Sequence, residues 1–277
     1  MTRKKWLITG VSSGLGKELA TMVHQNGEQV IGIVRKEKDK MLIEKQLKSA
    51  KVYVLDLLDS EKIEFVVDEI LKNEKKIDVL VNNAGYGLFG FVEEVNAEEL
   101  LHQFKVNFFS VWTLIQKILP SMRKRESGLI INISSRLGLV AGVGNAAYAA
   151  TKFATEGMSE ALEQEVKNFG IKVMLVEPGP MRTHFFGGSV NFARTVIPDY
   201  IERNADIRAQ SKSRDGKQKG NPKAIAKVIY ELSNGEDIPL RLPLTSPTLN
   251  TFIQKQSEMK EIIEKWTDTA KSVDFIL

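Results

Sequence analysis

The segment KWLITGVSSGLGKELATMVHQNGEQVIGIV, residues 5–34, decides the fold. Lys5 to Thr9 are a short, mostly apolar strand that stops at Gly10. Val11 to Gly16 are a glycine and serine turn. Leu15, Leu19, Met22 and Val23 then recur at helical spacing, and Gly27 follows where a helix would stop. Val30 to Val34 read as the next strand. A strand, glycine turn, helix and strand in this order is how a dinucleotide-binding unit opens. Glycines let the backbone approach a pyrophosphate, and the N-terminus of the following helix favours its charge. The spacing is Thr9-Gly10-x-x-x-Gly14-x-Gly16 rather than the common GxGxxG. Taken alone, such a turn could simply join a strand to a helix.

The alternation continues along the chain. Helical spacing marks Met41 to Leu47 and Ile63 to Leu71, and strands are expected at Val52 to Leu55 and Ile77 to Val81. A long helical pattern runs from about Glu98 to Met122, with Leu101, Phe104, Phe108, Trp112, Ile115 and Leu119 on one stripe. Leu129 to Ile133, Ile171 to Val176 and Ile238 to Leu244 read as strands. Tyr148 to Phe169, Lys223 to Leu232 and Thr251 to Trp266 read as helices, and 211–222 (SKSRDGKQKGNP) as a polar loop. Strands and helices in alternation predict an α/β fold, one doubly wound parallel sheet with helices on both faces. Ligands of such sheets bind beyond the carboxyl ends of the strands. The polar or glycine-rich tips at Gly10, Asp56, Asn83, Ser135 and Pro178 all fall on that edge.

A second stretch carries chemistry: LIINISSRLGLVAGVGNAAYAATK, residues 129–152. Tyr148 and Lys152 stack on one helix face. A lysine ammonium beside a phenol favours the phenolate, so this pair could move a proton near neutral pH. Ser135 precedes Tyr148 by a loop short enough to bring both hydroxyls to one atom. A tyrosine and a solvated lysine on an ordinary amphipathic helix would show the same spacing.

Composition removes other classes. The chain has 277 residues, 43% hydrophobic and 27% charged, and no cysteine, which excludes disulfides, thiolate catalysis and cysteine-based zinc sites. Trp6 to Ile8 are too short for a signal-peptide core, and no stretch approaches the roughly 18 apolar residues of a membrane span. The net charge of +4 is spread over scattered basic clusters, so no nucleic-acid partner is expected. Neither is a metal site, because His24 and His102 fall on helices away from His184 and carboxylates do not cluster at ligand spacing.

Taken together, TGVSSGLG at 9–16, NNAG at 82–85, Asn107, Ser135, Tyr148 with Lys152, and Pro178-Gly179-x-x-x-Thr183 resemble the short-chain dehydrogenase/reductase family, in its order. The match is dense over about residues 3–185. NNAGYGLFG and the chain length resemble the branch of 17β-hydroxysteroid and retinol dehydrogenase-like enzymes. The resemblance implies one NAD(P)-binding Rossmann-type domain over 1–277, with a substrate lid at 184–222 and a helical tail at 245–277. It implies that Tyr148 is the general acid/base, that Lys152 lowers its pKa and bonds the nicotinamide ribose, and that Ser135 holds the substrate oxygen. Asn107 would complete a proton relay.

By the same resemblance the cofactor contacts would be Gly10, Ser12, Ser13, Gly14, Leu15 and Gly16, then Asp56 and Leu57, Asn83, Ala84 and Gly85. Tyr148, Lys152, Pro178, Gly179, Met181 and Thr183 would complete them. At the end of the second strand, where NAD-preferring members carry an acid, stand Val34, Arg35 and Lys36. Two cations there predict NADP(H) over NAD(H), although Ser13 stands where many NADP-dependent members carry another base. Leu137, Val143 and Phe185, with Ser135 and Tyr148, would suit a small hydrophobic ketone or secondary alcohol, oxidised or reduced in the cytoplasm by a homodimer or homotetramer. Two rivals remain at this stage: a non-catalytic NADPH-sensing regulator on the same fold, and an extended epimerase or dehydratase.

Overall fold

The computed structural model describes residues 3–183, 185–214 and 216–275. In chain order the elements are β1 (Lys5–Thr9), α1 (Gly14–Gln25), β2 (Gln29–Val34), α2 (Glu37–Gln46), β3 (Lys51–Val54), α3 (Ser60–Glu74), β4 (Val79–Asn82) and β5 (Gly87–Phe89). There follow α4 (Ala97–Phe104), α5 (Ser110–Lys124), β6 (Gly128–Ile133), α6 (Ala146–Val166), β7 (Ile171–Pro178) and β8 (Val190–Phe192). The last are α7 (Ile201–Arg214), α8 (Pro222–Ser233), β9 (Arg241–Leu244) and α9 (Ser246–Lys271).

Seven strands form a parallel sheet in the order β3-β2-β1-β4-β6-β7-β9. The chain therefore starts in the middle, builds outward to β3, and returns across β1 to build the other half. Strand order reverses between β1 and β4, which makes the crevice at their carboxyl ends the expected binding place. Along each strand, alternate residues enter opposite layers. Trp6, Ile8, Val79, Val81, Ile131 and Met174 pack with α1, α2 and α8; Leu7, Leu80, Ile130 and Val173 pack with α3, α5 and α6. Apolar residues on both faces are what a sheet covered twice requires.

The long helix departs from the sequence pattern. Residues Lys105–Phe109 form a π-turn between α4 and α5, and the extra residue in a π-turn rotates the helix faces on either side. Of the apolar stripe read from the sequence, only Ile115 is buried; Leu101 is 50% and Trp112 is 46% exposed. The buried line instead runs through Gln103, Asn107, Ser110, Leu114, Ile118 and Met122. Its first part is polar, so hydrophobic periodicity could not mark it.

One other expectation needs correction. The segment 211–214, read as loop, is the last turn of α7. The short parallel pair of β5 with β8 was not foreseen, since three-residue strands carry no usable period. No helix among the described residues is long and apolar enough to cross a membrane.

Ile131 is fully buried in the middle of the sheet, paired with Val81 on one side and Met174 on the other. Ile131→Ala should lower unfolding free energy by about 2–5 kcal/mol, read as a lower denaturant midpoint with unchanged slope.

Candidate active site

At the switch point the two halves of the sheet are tied by one threonine. Thr9 Oγ1 accepts from the backbone N–H groups of Asn83 (2.9 Å) and Ala84 (2.9 Å). Asn83 Nδ2 returns the contact, donating to the carbonyls of Thr9 (2.9 Å) and Gly10 (3.4 Å). Gly10 and Gly14 sit at φ +73° and +56°, where glycine is favoured. A Cβ on Gly16 would lie 2.5 Å from the Gly10 carbonyl oxygen and collide with Asn83 Nδ2. Gly16 therefore sets how closely α1 packs under the turn and does not line the cavity above it.

That cavity, of about 730 Å³, runs along the carboxyl edge of the sheet. It brings together the expected cofactor contacts other than Gly16: the turn from Gly10 to Leu15, Arg35 and Lys36, Asp56 and Leu57, the Asn83–Gly85 segment, Tyr148 and Lys152, and the Pro178, Gly179, Met181 and Thr183 loop. Ser13 caps α1 without a side-chain hydrogen bond, and no acid sits in the helix's first turn. Those backbone N–H groups are therefore presented to an anion with no local carboxylate to repel it. Asp56 Oδ1 accepts from Leu58 N (3.1 Å), which fixes the turn after β3. The cradle of glycines, the uncapped helix end and the two cations after β2 fit a dinucleotide.

At the other end of the cavity Ser135, Tyr148 and Lys152 meet. Ser135 caps a short turn, its Oγ accepting from Leu137 N (3.1 Å), and it lines the cavity together with Tyr148. Burial pushes the Tyr148 pKa up to about 12, with the Ser135 contact acting the other way. Lys152 Nζ donates to the Ile133 carbonyl (2.7 Å) and stands 5.8 Å from the Tyr148 ring centroid. Burial lowers the Lys152 pKa to about 8, while the charge of Glu156 raises it. The depressed tyrosine expected from the spacing is thus not what this geometry gives. Burial dominates the phenol, and the ammonium is directed to a backbone carbonyl rather than to the ring oxygen.

Asn107 lies in the π-turn, buried. Its Oδ1 accepts from Tyr86 N (3.1 Å), and its Nδ2 donates to Tyr86 O (2.9 Å) and Thr151 Oγ1 (3.3 Å). It locks the segment after the NNAG stretch to the middle of α6 and does not itself line the cavity.

Among the expected substrate residues, Leu137 and Phe185 line the cavity, and the Phe185 and Phe89 rings lie 6.0 and 6.3 Å from the Tyr148 ring. Val143 does not: it is 67% exposed in the loop before α6. His184 lies outside the described residues. His102, expected to be remote, lines the cavity with Tyr86, whose hydroxyl is 2.7 Å from His102 Nδ1. Lys38 and Asp39 also line it, beside Arg35 and Lys36. Sequence reasoning passed over these because they lie on a helix flank whose approach to the cavity depends on the bend after β2.

The family described as short chain dehydrogenase matches residues 4–192. A short-chain dehydrogenase structure from Streptomyces avermitilis is 35% identical, covers 99% of each chain and superposes with a TM-score of 0.90. Retinol dehydrogenase 8 of Bos taurus is 34% identical over 249 residues, which span 85% of this chain and 79% of that protein. The structure of ElxO with NADP bound is 26% identical over 87% of this chain and 96% of that one, with a TM-score of 0.73.

Gly16→Ala should weaken dinucleotide affinity by at least about tenfold, because the methyl group has to push the helix off the Gly10 carbonyl. Quenching of tryptophan fluorescence on titration with NADPH measures it.

Proposed function

Since the chain belongs to the short-chain dehydrogenase family, and is an oxidoreductase by that membership, we propose that it transfers a hydride between NADP(H) and a hydrophobic ketone or secondary alcohol. The observation that carries this reading is the meeting of Ser135, Tyr148 and Lys152 at one end of a cavity whose other end is a glycine cradle. The nicotinamide supplies the hydride when bound. The chain's own residues do the rest: Ser135 holds the substrate oxygen, Tyr148 gives or takes its proton, and Lys152 supports the charge change at the phenol. Asn107 acts by fixing Tyr86 and Thr151 around them.

Preference for NADP(H) is supported by Arg35 and Lys36 in the place where an acid would reject a 2′-phosphate. Asp39 nearby is the one carboxylate of that helix turn facing the cavity. An apolar substrate is supported by the Phe89 and Phe185 rings on either side of Tyr148, by Leu137, and by a relative named for retinol. The segment 184–222 would serve as the substrate lid, within one NAD(P)-binding domain over 1–277. No described residue of α9 lines the cavity. The outward line of Leu101, Phe104, Phe108 and Trp112 supports pairing of subunits through α4 and α5 into a homodimer or homotetramer. A cysteine-free chain suits a reducing cytoplasm. The sensor reading is disfavoured because a regulator has no need of a hydroxyl pair with a buried lysine beside it.

Tyr148→Phe should cut turnover on the order of 10²–10⁴-fold and leave NADPH binding largely intact, measured by steady-state assays on a carbonyl panel and by fluorescence titration. Retained turnover would reject the mechanism. Removing the cations in Arg35→Ala/Lys36→Ala should weaken NADPH binding about 10- to 100-fold and leave NADH binding nearly as it was. Equal loss for both cofactors would reject the role of these cations.

A further inference from the structure

A second cavity, of about 230 Å³, adjoins the reaction cavity at Phe89. Among the described residues, Phe89 alone lines both. Its ring meets Tyr148 edge-on at 6.3 Å and Phe192, next to Ala193, at 6.2 Å. One wall of the second cavity is the turn after β5, with Gly90 and Glu94. The other is the chain leaving β8 and the first half of α7, with Ala193, Val196, Ile201 and Ala205.

These walls are fastened to each other. Glu94 is buried, and its Oε2 accepts from Phe91 N (3.1 Å) while its Oε1 accepts from Ile197 N (3.1 Å) and Asn204 Nδ2 (2.7 Å). One carboxylate thus joins the turn after β5 to two points of the facing segment. Ala193 N donates to the Phe89 carbonyl (2.8 Å), Arg194 N donates to Glu99 Oε1 (3.1 Å), and the Phe91 and Tyr200 rings stack at 4.2 Å. The space is therefore built into the fold, although an unfilled gap forfeits packing contacts.

Its chemistry follows from what those bonds use up. Both Glu94 oxygens and the Asn204 amide are engaged within the walls. Arg208, which also lines the cavity, lies with Cζ 4.1 Å from the Phe192 ring centroid. What is presented to a ligand is mainly Phe89, Ala193, Val196, Ile201 and Ala205, and Val196 and Ile201 are 56% and 52% exposed. Apolar surface around a preformed hollow favours an apolar guest.

Resting on the catalytic reading above, we propose that this cavity receives an apolar arm of the substrate, so that the substrate class is a ketone or secondary alcohol bearing a long aliphatic chain. The reacting oxygen sits at Ser135 and Tyr148, the chain passes along the Phe89 ring, and its far end lies between the turn after β5 and α7. Because Phe89 stands between Tyr148 and the second cavity, a short ketone reaches the first site only. A long chain touches both walls.

The chain-length dependence of 2-butanone, 2-hexanone, 2-octanone and 2-decanone tests this. In reduction with NADPH, each methylene that enters the cavity should raise kcat/KM about fourfold. Ala205→Phe puts a ring into the cavity and should cut the ratio of kcat/KM for 2-decanone to that for 2-butanone at least about tenfold. Ala205→Leu, a smaller change that guards against misfolding of the first, should cut it less. A flat series, or a ratio unmoved by both variants, would overturn the proposal. With NADP+ in place of NADPH no hydride can reach a ketone, and calorimetry gives the affinities of the same four compounds without turnover. Affinity should rise along the series and lose that rise in Ala205→Phe. A rise in affinity without any turnover under NADPH would uphold the cavity and reject the reaction. Turnover with no chain-length dependence would reject the cavity alone, and a protein that binds none of the four ketones would reject both.

Discussion

The hydroxyl of Thr9 receives two backbone N–H groups from the opposite half of the sheet, and the rest of the site depends on that contact. A parallel sheet that reverses its strand order must part at the reversal, because the connections leaving β1 and β4 go to different faces. The crevice is therefore a topological product, but its width is not. Thr9 and Asn83 hold the two strand ends at a fixed separation, and the Asn83 side chain occupies the space that a Cβ on Gly16 would need. The glycine turn, the entry of α1 and the segment from Ala84 to Tyr86 are thus set by one small network. A hydroxyl can do this because it satisfies two adjacent buried donors at once, which otherwise would be left unpaired at the end of a strand.

From Ala84 the constraint passes to Asn107. The amide of Asn107 satisfies both backbone groups of Tyr86, and it can do so because the π-turn rotates it inward from a helix whose apolar stripe points elsewhere. It then reaches Thr151, one residue before Lys152. The glycine cradle and the lysine are consequently connected through side chains that are polar, buried and matched in pairs. Such networks specify one geometry because every alternative leaves a buried group unsatisfied.

This also explains which parts of the molecule were legible in the sequence. Strands buried on both faces write themselves as apolar runs, and β1, β2, β4, β6 and β7 were found near their observed bounds. The cavity edge was legible because polar or glycine tips follow those runs. The π-turn was not, since nothing in KVNFF marks an added residue, and the expected stripe was consequently displaced. Buried Gln103, Asn107 and Ser110 look like surface residues to any reading based on hydropathy. Val143 and His102 were misplaced for a simpler reason: their positions depend on how a loop and a helix cross the sheet, and one sequence period does not contain that.

The tyrosine and lysine show where motif reasoning stops short. Spacing alone puts a cation near a phenol and predicts a lowered phenol pKa. Enclosure adds a larger opposing effect, because removing water disfavours the charged form of both groups: the phenol rises and the ammonium falls. Two groups driven toward neutrality by the same burial cannot assist each other unless some other charge holds one of them ionised. One turn beyond Lys152 on the same helix, the Glu156 carboxylate is held by Arg241 of the last strand, which also binds Glu177 of β7. The edge strand, remote in sequence and absent from every motif, is in this way tied to the helix that carries Tyr148 and Lys152.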